Sequence, residues 1–172
     1  MNSGLSGQRI AFLASNEGME QVEFTAPWQA VKDAGGTPEL LAPEPGVAQA
    51  FNHLDKGDTF PVSSTIAAAD PADYDGLVLP GGVANPDQLR TVPEAVQFVQ
   101  AMFRAGKPAA VICHGPWTLV EADVIRGRQL TVVAEPANGL QAARRAVRQG
   151  SGPVTPGPGA GTGRQTTRPG LG

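Results

Sequence analysis

Four short apolar runs predict strands that are buried in a sheet. They occupy residues 9–14, 38–42, 74–82 and 108–113. Each run is bounded by turn-forming residues such as Gly, Pro, Asn or Asp, which is typical of strands that are covered on both faces. The longest run ends in Pro80-Gly81-Gly82, and the last ends at Cys113.

Stretches with apolar side chains at helical spacing lie between and after these runs. They are residues 20–34, 93–105 and 117–122. In the first stretch the predicted apolar face comprises Val22, Ala26, Ala30 and Val31. Strands that alternate with helices of this length predict an α/β fold with a parallel sheet covered on both faces. Ligands bind such sheets beyond the carboxyl ends of the strands, which is where the Pro-Gly-Gly turn and the cysteine fall.

Residues 43–71 show no clear periodicity, and the sequence predicts only one short edge strand or hairpin arm there, at 58–62. His53 lies in this stretch, and we expect it on the surface.

The overall composition limits the class of protein. A chain of 172 residues with a net charge of −3 predicts one domain and argues against nucleic-acid binding. No apolar run approaches 18 residues, the amino terminus lacks the pattern of a secretory signal, and a single cysteine fits a reducing cytoplasm. We expect a cytoplasmic protein that does not bind membranes. With one cysteine, no GxGxxG motif and no phosphate-binding loop, we expect neither a metal site nor a cofactor.

Residues 132–172 differ in composition from the rest of the chain. Residues 1–131 carry 8 basic and 15 acidic side chains, whereas residues 132–172 carry five arginines and one acid, Glu135. Ala, Arg, Gly or Pro account for 25 of these 41 residues. We expect a domain over 1–131 and a tail over 132–172 that is disordered or results from a frameshift near codon 131. Limited proteolysis should remove residues beyond about 150 first.

Cys113 is the candidate nucleophile. His114-Gly115-Pro116 turns its strand directly into the helical stretch 117–122. A tight strand-to-helix turn resembles the nucleophile elbow of serine hydrolases, and the helix dipole and nearby N–H groups favour a thiolate. We therefore expect a Cys113 pKa below the ~8.5 of a free thiol. The alternative is a small buried hydrophobic residue, a common role of a lone cysteine.

Few residues can assist this thiol. His114 can face the same cleft, or it can shape the elbow by hydrogen bonding. Glu17, Glu20 and Glu23 follow the first strand at the same sheet edge, and one of them could reach the sulfur. From the residues alone, the favoured explanation is that these acids stabilise a helix amino terminus.

Together the segments resemble the ThiJ/PfpI superfamily, in particular its intracellular protease PfpI branch, which has the class I glutamine amidotransferase-like fold. The matching segments are Ile10-Ala-Phe-Leu-Ala-Ser-Asn16, Glu20-Gln-Val-Glu23 leading to Pro27, Tyr74-Asp-Gly-Leu-Val-Leu-Pro-Gly-Gly82, Ala110-Val-Ile-Cys-His-Gly-Pro116 and Ala122-Asp-Val-Ile-Arg-Gly-Arg-Gln-Leu-Thr131. They span residues 9–131 in the family's order, and the resemblance stops after Thr131.

The resemblance implies a flavodoxin-like three-layer sandwich with a mostly parallel central sheet, in a homodimer or a higher homo-oligomer. It implies that Cys113 is the nucleophile, His114 the adjacent imidazole and Glu23 the acid that hydrogen-bonds the cysteine. Backbone N–H groups near Gly82 and His114 would form the oxyanion hole. Asp87 matches a position from which some relatives supply an acid to a neighbouring subunit's histidine.

The activities that the resemblance implies are peptidase, glyoxalase and deglycase, besides chaperone and oxidative-stress roles. Thiolate attack on a carbonyl with oxyanion stabilisation serves each of these reactions, so the substrate stays open between a small carbonyl compound and a peptide. The leading hypothesis is a stress-related cysteine-dependent hydrolase or a glyoxalase- or deglycase-like enzyme. The alternative is a non-enzymatic oxidative-stress sensor or chaperone that works through oxidation of Cys113.

Overall fold

The computed structural model describes residues 4–126 of the chain. The strands in this part are β1 (Arg9–Leu13), β2 (Glu17–Glu20), β3 (Thr37–Ala42), β4 (Val47–Asn52), β5 (Asp55–Pro61), β6 (Ser64–Thr65), β7 (Gly76–Leu79) and β8 (Ala109–Val111). The helices are α1 (Gln21–Asp33), α2 (Ala84–Leu89), α3 (Pro93–Arg104) and α4 (Pro116–Glu121). The expected tail at 132–172 lies outside the described residues, so the domain boundary stays a prediction.

The central sheet has five strands in the order β6-β3-β1-β7-β8, and every pairing in it is parallel. Alternate residues of β1 enter two separate hydrophobic clusters, with Phe12 in one and Leu13 in the other. Helix α1 covers the cluster around Phe12, whereas α3 and α4 cover the cluster around Leu13. This arrangement confirms the predicted flavodoxin-like three-layer α/β sandwich.

The buried face of α1 differs from the predicted one. Glu23, Phe24, Pro27 and Val31 are buried, whereas Ala26 and Ala30 are exposed. The prediction followed the apolar pattern alone, and the burial of a glutamate on the inner face shifts that face by about a quarter turn. Phe24 fixes the new orientation, because its ring packs edge-on against Phe12 of β1 with centroids 5.7 Å apart.

A second sheet of three strands, in the order β2-β4-β5, combines β2 with two strands from the stretch that lacked periodicity. Strands β4 and β5 make an antiparallel hairpin with His53 and Leu54 in its turn. His53 has a left-handed φ of 60° and is exposed, as expected, and its backbone N–H donates to the Glu20 carboxylate at 3.1 Å. Phe60 of β5 anchors the hairpin on the core through Phe24, at a ring distance of 4.7 Å.

Across residues 4–126, every helix is too short or too polar to traverse a lipid bilayer.

Candidate active site

Cys113 lies in a sharp turn between β8 and α4. Its φ of 54° is in the left-handed region, which costs a non-glycine residue on the order of 1–3 kcal/mol. The turn is closed by the Gly115 N–H, which donates to Ile112 O at 2.8 Å. A Cβ on Gly115 would lie 2.9 Å from Leu79 O, so this position accepts only glycine without a shift of the backbone. The strand-to-helix turn around the candidate nucleophile is therefore present as predicted.

Glu23 projects from the first turn of α1 into the space beside Cys113. Its side chain is 4% exposed, and its Oε2 accepts the Gly81 N–H at 2.8 Å. Burial raises the pKa of Glu23, and the hydrogen bonds that its carboxylate accepts from the Gly81 N–H and the Cys113 thiol oppose that rise only in part. Glu23 thus lies in the first turn of α1, as the helix-terminus explanation expects, but it is buried beside Cys113.

The pKa of Cys113 is also raised, to about 11. Burial is the largest cause, and the charge of Glu23 and its hydrogen bond to the sulfur add to the rise. Backbone hydrogen bonds from His114 and Gly82 act in the opposite direction and are outweighed. The expectation of a pKa below that of a free thiol is therefore wrong, because burial of the thiol and the neighbouring Glu23 carboxylate outweigh the favourable amides.

The turn after β7, which contains Gly81 and Gly82, lies close to both Glu23 and Cys113. A Cβ on Gly81 would lie 2.5 Å from Cys113 Cβ and would also collide with the Glu23 carboxylate. Gly82 has a φ of 78°, and a side chain there would meet backbone atoms of Gly18 and Glu20. The two glycines thus let backbone N–H groups approach the sulfur and the carboxylate directly.

His114 lies directly beside the sulfur of Cys113. Its Nδ1 lies 3.0 Å from Cys113 Sγ, and its ring packs edge-on against Trp117 with centroids 5.2 Å apart. Trp117 is 40% exposed, so the imidazole sits between the sulfur and an accessible aromatic side chain.

Asn85 of α2 is a residue that the sequence analysis missed. It is 1% exposed, and its Nδ2 donates to Pro80 O at 2.9 Å and to Gly81 O at 3.1 Å. Its Oδ1 accepts the Ser15 N–H at 2.7 Å. An asparagine shortly after a Pro-Gly-Gly turn is usually a loop residue, so nothing in the local pattern marked it.

Other candidate acids do not reach the sulfur. Glu20 ends β2 and serves the hairpin turn through His53, and Glu17 is exposed. Asp87 lies on the exposed side of α2, where its Oδ1 accepts Arg90 Nη2 at 2.7 Å. The expected role of Asp87 toward a neighbouring subunit stays a prediction.

The described residues contain no group of three or more His, Cys, Asp or Glu side chains arranged to hold a metal ion. The polar atoms around Cys113 are one carboxyl, one imidazole and backbone amides, a set that suits proton transfer and anion stabilisation.

The fold is a parallel α/β sandwich, and its site consists of a cysteine at a strand-to-helix elbow with a buried carboxyl and a glycine turn beside it. These features define a class of proteins whose site contains a single thiol. Comparison with known sequences identifies the family within that class. The chain matches the DJ-1/PfpI family over residues 8–154, and it belongs to that family. The match extends past residue 131, where the motifs stop.

Curated relatives cover most of this chain. It is 38% identical over 123 residues to Deglycase PfpI of Pyrococcus furiosus, covering 72% of this chain and 70% of the relative. It is 37% identical over 126 residues to Protein/nucleic acid deglycase 2 of Escherichia coli, covering 73% and 71%. Among solved structures, a two-domain Anabaena variabilis protein with DJ-1/ThiJ/PfpI-like and ferritin-like domains has a TM-score of 0.69 at 29% identity, covering 79% of this chain and 38% of that one.

Proposed function

We propose that this protein is a cysteine-dependent enzyme of the DJ-1/PfpI type that attacks a carbonyl-derived group with Cys113, as a deglycase or hydrolase. The observation that carries the proposal is the pairing of a buried Glu23 carboxyl with the Cys113 thiol beneath backbone N–H groups of Gly82 and His114. A lone buried cysteine that serves only packing has no need of a desolvated carboxyl beside it, since such a group destabilises the fold when it is charged.

The first step forms a bond between Cys113 Sγ and a carbonyl carbon. The thiol proton passes to Glu23, whose raised pKa makes it a better proton acceptor than an ordinary carboxylate. The electron pair of the carbonyl moves to its oxygen, and the N–H groups of Gly82 and His114 lie where they can donate to the resulting anion. The product is a tetrahedral adduct on the sulfur with a neutral Glu23.

In the second step the proton held by Glu23 moves to the oxygen or the departing amine of the adduct, and His114, whose Nδ1 lies 3.0 Å from the sulfur, can relay it. For an amine glycated by methylglyoxal, loss of the amine frees the aldehyde that Cys113 attacks, and the adduct is a hemithioacetal. Transfer of the hydrogen on its sulfur-bearing carbon, as a proton, to the neighbouring carbon through an enediol gives a lactoyl thioester, which water hydrolyses to lactate and the free thiol. With a peptide bond as substrate, the adduct expels the amine to give an acyl thioester, which water hydrolyses.

The names of the relatives favour the deglycase reaction. The two curated relatives described above are named deglycases, and the name of the Escherichia coli protein includes nucleic acid among its substrates. A glycated nucleotide is therefore one of the substrates to assay, although the acidic composition predicts no stable nucleic-acid complex.

The test compares the unmodified protein with Cys113→Ser on three substrates: methylglyoxal-modified acetyl-lysine, a methylglyoxal-modified nucleotide and a fluorogenic peptide. Release of lactate and free amine by the unmodified protein, with a loss of at least about 100-fold in Cys113→Ser, is the expected result. Equal rates in the two proteins would show that the activity does not pass through Cys113. Equal thermal melting of the two proteins is the control for folding.

Partial exposure of Cys113 favours the alternative of a redox sensor. Peroxide titration followed by intact mass distinguishes the two functions. Addition of one or two oxygen atoms at stoichiometric peroxide, together with no turnover of any of the three substrates, would assign the protein to the sensor class.

A further inference from the structure

We propose that Asn85 is a positioning residue that holds the Pro80-Gly81-Gly82 turn so that its two amide N–H groups face Glu23 and Cys113. The contacts that support this role are two donor bonds from Nδ2 to the carbonyl oxygens of Pro80 and Gly81, at 2.9 and 3.1 Å. The part of this inference that concerns catalysis rests on the proposed function. The effect of Asn85 on the reactivity of the Cys113 sulfur can be measured without a substrate.

The geometry of the peptide unit connects these carbonyls to the active site. In a trans peptide the C=O and the following N–H lie in one plane and point in opposite directions. Pro80 O and the Gly81 N–H belong to one such unit, and the Gly81 N–H donates to Glu23 Oε2 at 2.8 Å. Gly81 O and the Gly82 N–H belong to the next unit, and the Gly82 N–H faces both Cys113 and Glu23 and lowers the pKa of each. Asn85 therefore binds the carbonyl oxygens of two peptide units whose N–H groups face Glu23 and Cys113.

The orientation of Asn85 is fixed from the other side. The Ser15 N–H, at 2.7 Å, can only donate, so the side-chain oxygen of Asn85 must face it and the amino group must face the two carbonyls. Ser15 directly follows the central strand region, and its own side chain is 2% exposed. Gly18 lets the start of α2 approach this closely, because a Cβ there would lie 2.6 Å from Ala84 Cβ and 3.1 Å from Asn85 N. The turn is thereby tied to the carboxyl end of β1.

The test measures alkylation of Cys113 by iodoacetamide against pH in Asn85→Ala and Asn85→Asp. Asn85→Ala removes both donors without adding charge, and Asn85→Asp keeps the acceptor for Ser15 but sets oxygen against the two carbonyls. Loss of the Gly82 donor raises the pKa of the thiol, so the alkylation rate below the midpoint should fall about three- to tenfold in both variants. The titratable groups beside the sulfur, Glu23 and His114, are unchanged in both.

Ser15→Ala is the matched control, because it disturbs the same buried network but keeps the Ser15 N–H bond to Asn85. It should lower the melting temperature and leave the alkylation midpoint in place. A midpoint that moves only in Asn85→Asp would reflect the new charge. Unchanged midpoints in both Asn85 variants would show that Asn85 has a structural role alone. Either result overturns the proposal.

A second measurement needs no substitution and covers the case in which the variants do not fold. Amide hydrogen exchange at Gly81 and Gly82 in the unmodified protein should be slowed by at least about 100-fold relative to an unstructured peptide, as expected for hydrogen-bonded amides in a fixed turn. Exchange at the unstructured rate would overturn the proposal. Because alkylation and exchange use no substrate, an inactive protein that shows both expected results would contradict the proposed function and leave the role of Asn85 intact.

Discussion

At the scale of single residues, the pKa values of Glu23 and Cys113 are raised by a shared cause. Both groups are desolvated, which is the largest cause of each rise. The charge of Glu23 raises the pKa of Cys113 further, whereas the hydrogen bond that Glu23 accepts from Cys113 lowers the pKa of Glu23. A carboxylate and a thiolate in direct contact therefore share a proton, and the two groups titrate as a pair rather than independently. In the proposed reaction, this shared proton stays on Glu23 when the sulfur becomes bonded to carbon.

Glu23→Gln separates the reactivity of the thiol from turnover. The variant removes the charge that raises the pKa of Cys113, so that pKa should fall and alkylation at pH 7 should rise about tenfold for each unit of pKa. Turnover should fall about 100-fold, because the group that accepts the thiol proton is lost. Iodoacetamide kinetics and amine release, measured on the same samples, check the two expectations.

Glu20→Gln is the control for this prediction, since Glu20 binds the backbone of His53 and affects Glu23 only through space. It should change both rates less than Glu23→Gln does. Equal effects of the two variants, or a slower alkylation in Glu23→Gln, would remove Glu23 from the site.

At the scale of elements, the two ends of the central sheet carry different groups of polar side chains. The carboxyl ends of β1, β7 and β8 carry the site, whereas the amino end of β1 carries a polar cluster. There Arg9 Nε donates to Glu39 Oε1 of β3 at 2.9 Å, and the Tyr74 hydroxyl donates to Glu39 Oε2 at 3.0 Å. Burial, and then the hydrogen bond to Glu39, raise the pKa of Tyr74 to about 12.

The Glu39 cluster predicts a pH dependence of stability. Arg9 foremost, and Tyr74 as well, lower the pKa of Glu39. A carboxyl with a lowered folded-state pKa stabilises the fold above its unfolded-state pKa, and that contribution is lost as the pH falls through the folded-state value. Glu39→Gln should therefore reduce the free energy of unfolding by on the order of 0.5–1 kcal/mol at pH 7 and by close to nothing at pH 2. Urea unfolding at both pH values measures the difference.

Glu44→Gln is the control for the cluster, because Glu44 is an exposed carboxylate on the loop after β3. Its effect should be small at both pH values. A destabilisation of Glu39→Gln that persists undiminished at pH 2 would show that shape, and not charge, is what Glu39 contributes.

At the scale of the whole molecule, several large apolar side chains face outward. Leu54 at the hairpin tip is 94% exposed, and Val83 and Val120 near the site are 58% and 57% exposed. Asp87 occupies the same helix as Asn85 and points away from Cys113 of its own chain toward Arg90. These features are compatible with the predicted homo-oligomer, in which Asp87 would serve a neighbouring histidine.

The oligomer prediction is tested by sedimentation equilibrium together with one variant. The expected particle is at least twice the 17.7 kDa of the chain, and Asp87→Asn should shift the pH profile of turnover. Asp123→Asn is the matched control, because Asp123 also accepts a hydrogen bond from an arginine three residues later, at 2.8 Å. A particle of single-chain mass at micromolar concentration would contradict the assembly, and equal effects of the two variants would contradict the role of Asp87.

Local sequence pattern determined the main elements and the central architecture of this protein. The apolar runs fixed the four main strands of the sheet, helical spacing located α1, α3 and α4, and the residues around Cys113 identified the elbow, because each of these features depends on neighbours a few positions apart. Strand β5 overlaps the edge strand or hairpin arm predicted at 58–62, whereas β2, β4 and the short helix α2 were not predicted. Their residues are too polar, or their runs too short, for a periodicity to show.

Only the tertiary structure decided the electrostatics of the site. Glu23 and Gly81 are 58 residues apart and Ser15 and Asn85 are 70 apart, so neither contact has a local signature. The chain alone located an elbow whose amides favour a thiolate, but the pKa of Cys113 depends on how much water the fold removes and on which charge it sets beside the sulfur. Desolvation of the sulfur and the approach of Glu23 from a distant element both depend on how the whole molecule packs. Together they reverse the direction of the pKa shift that the local turn predicted for Cys113.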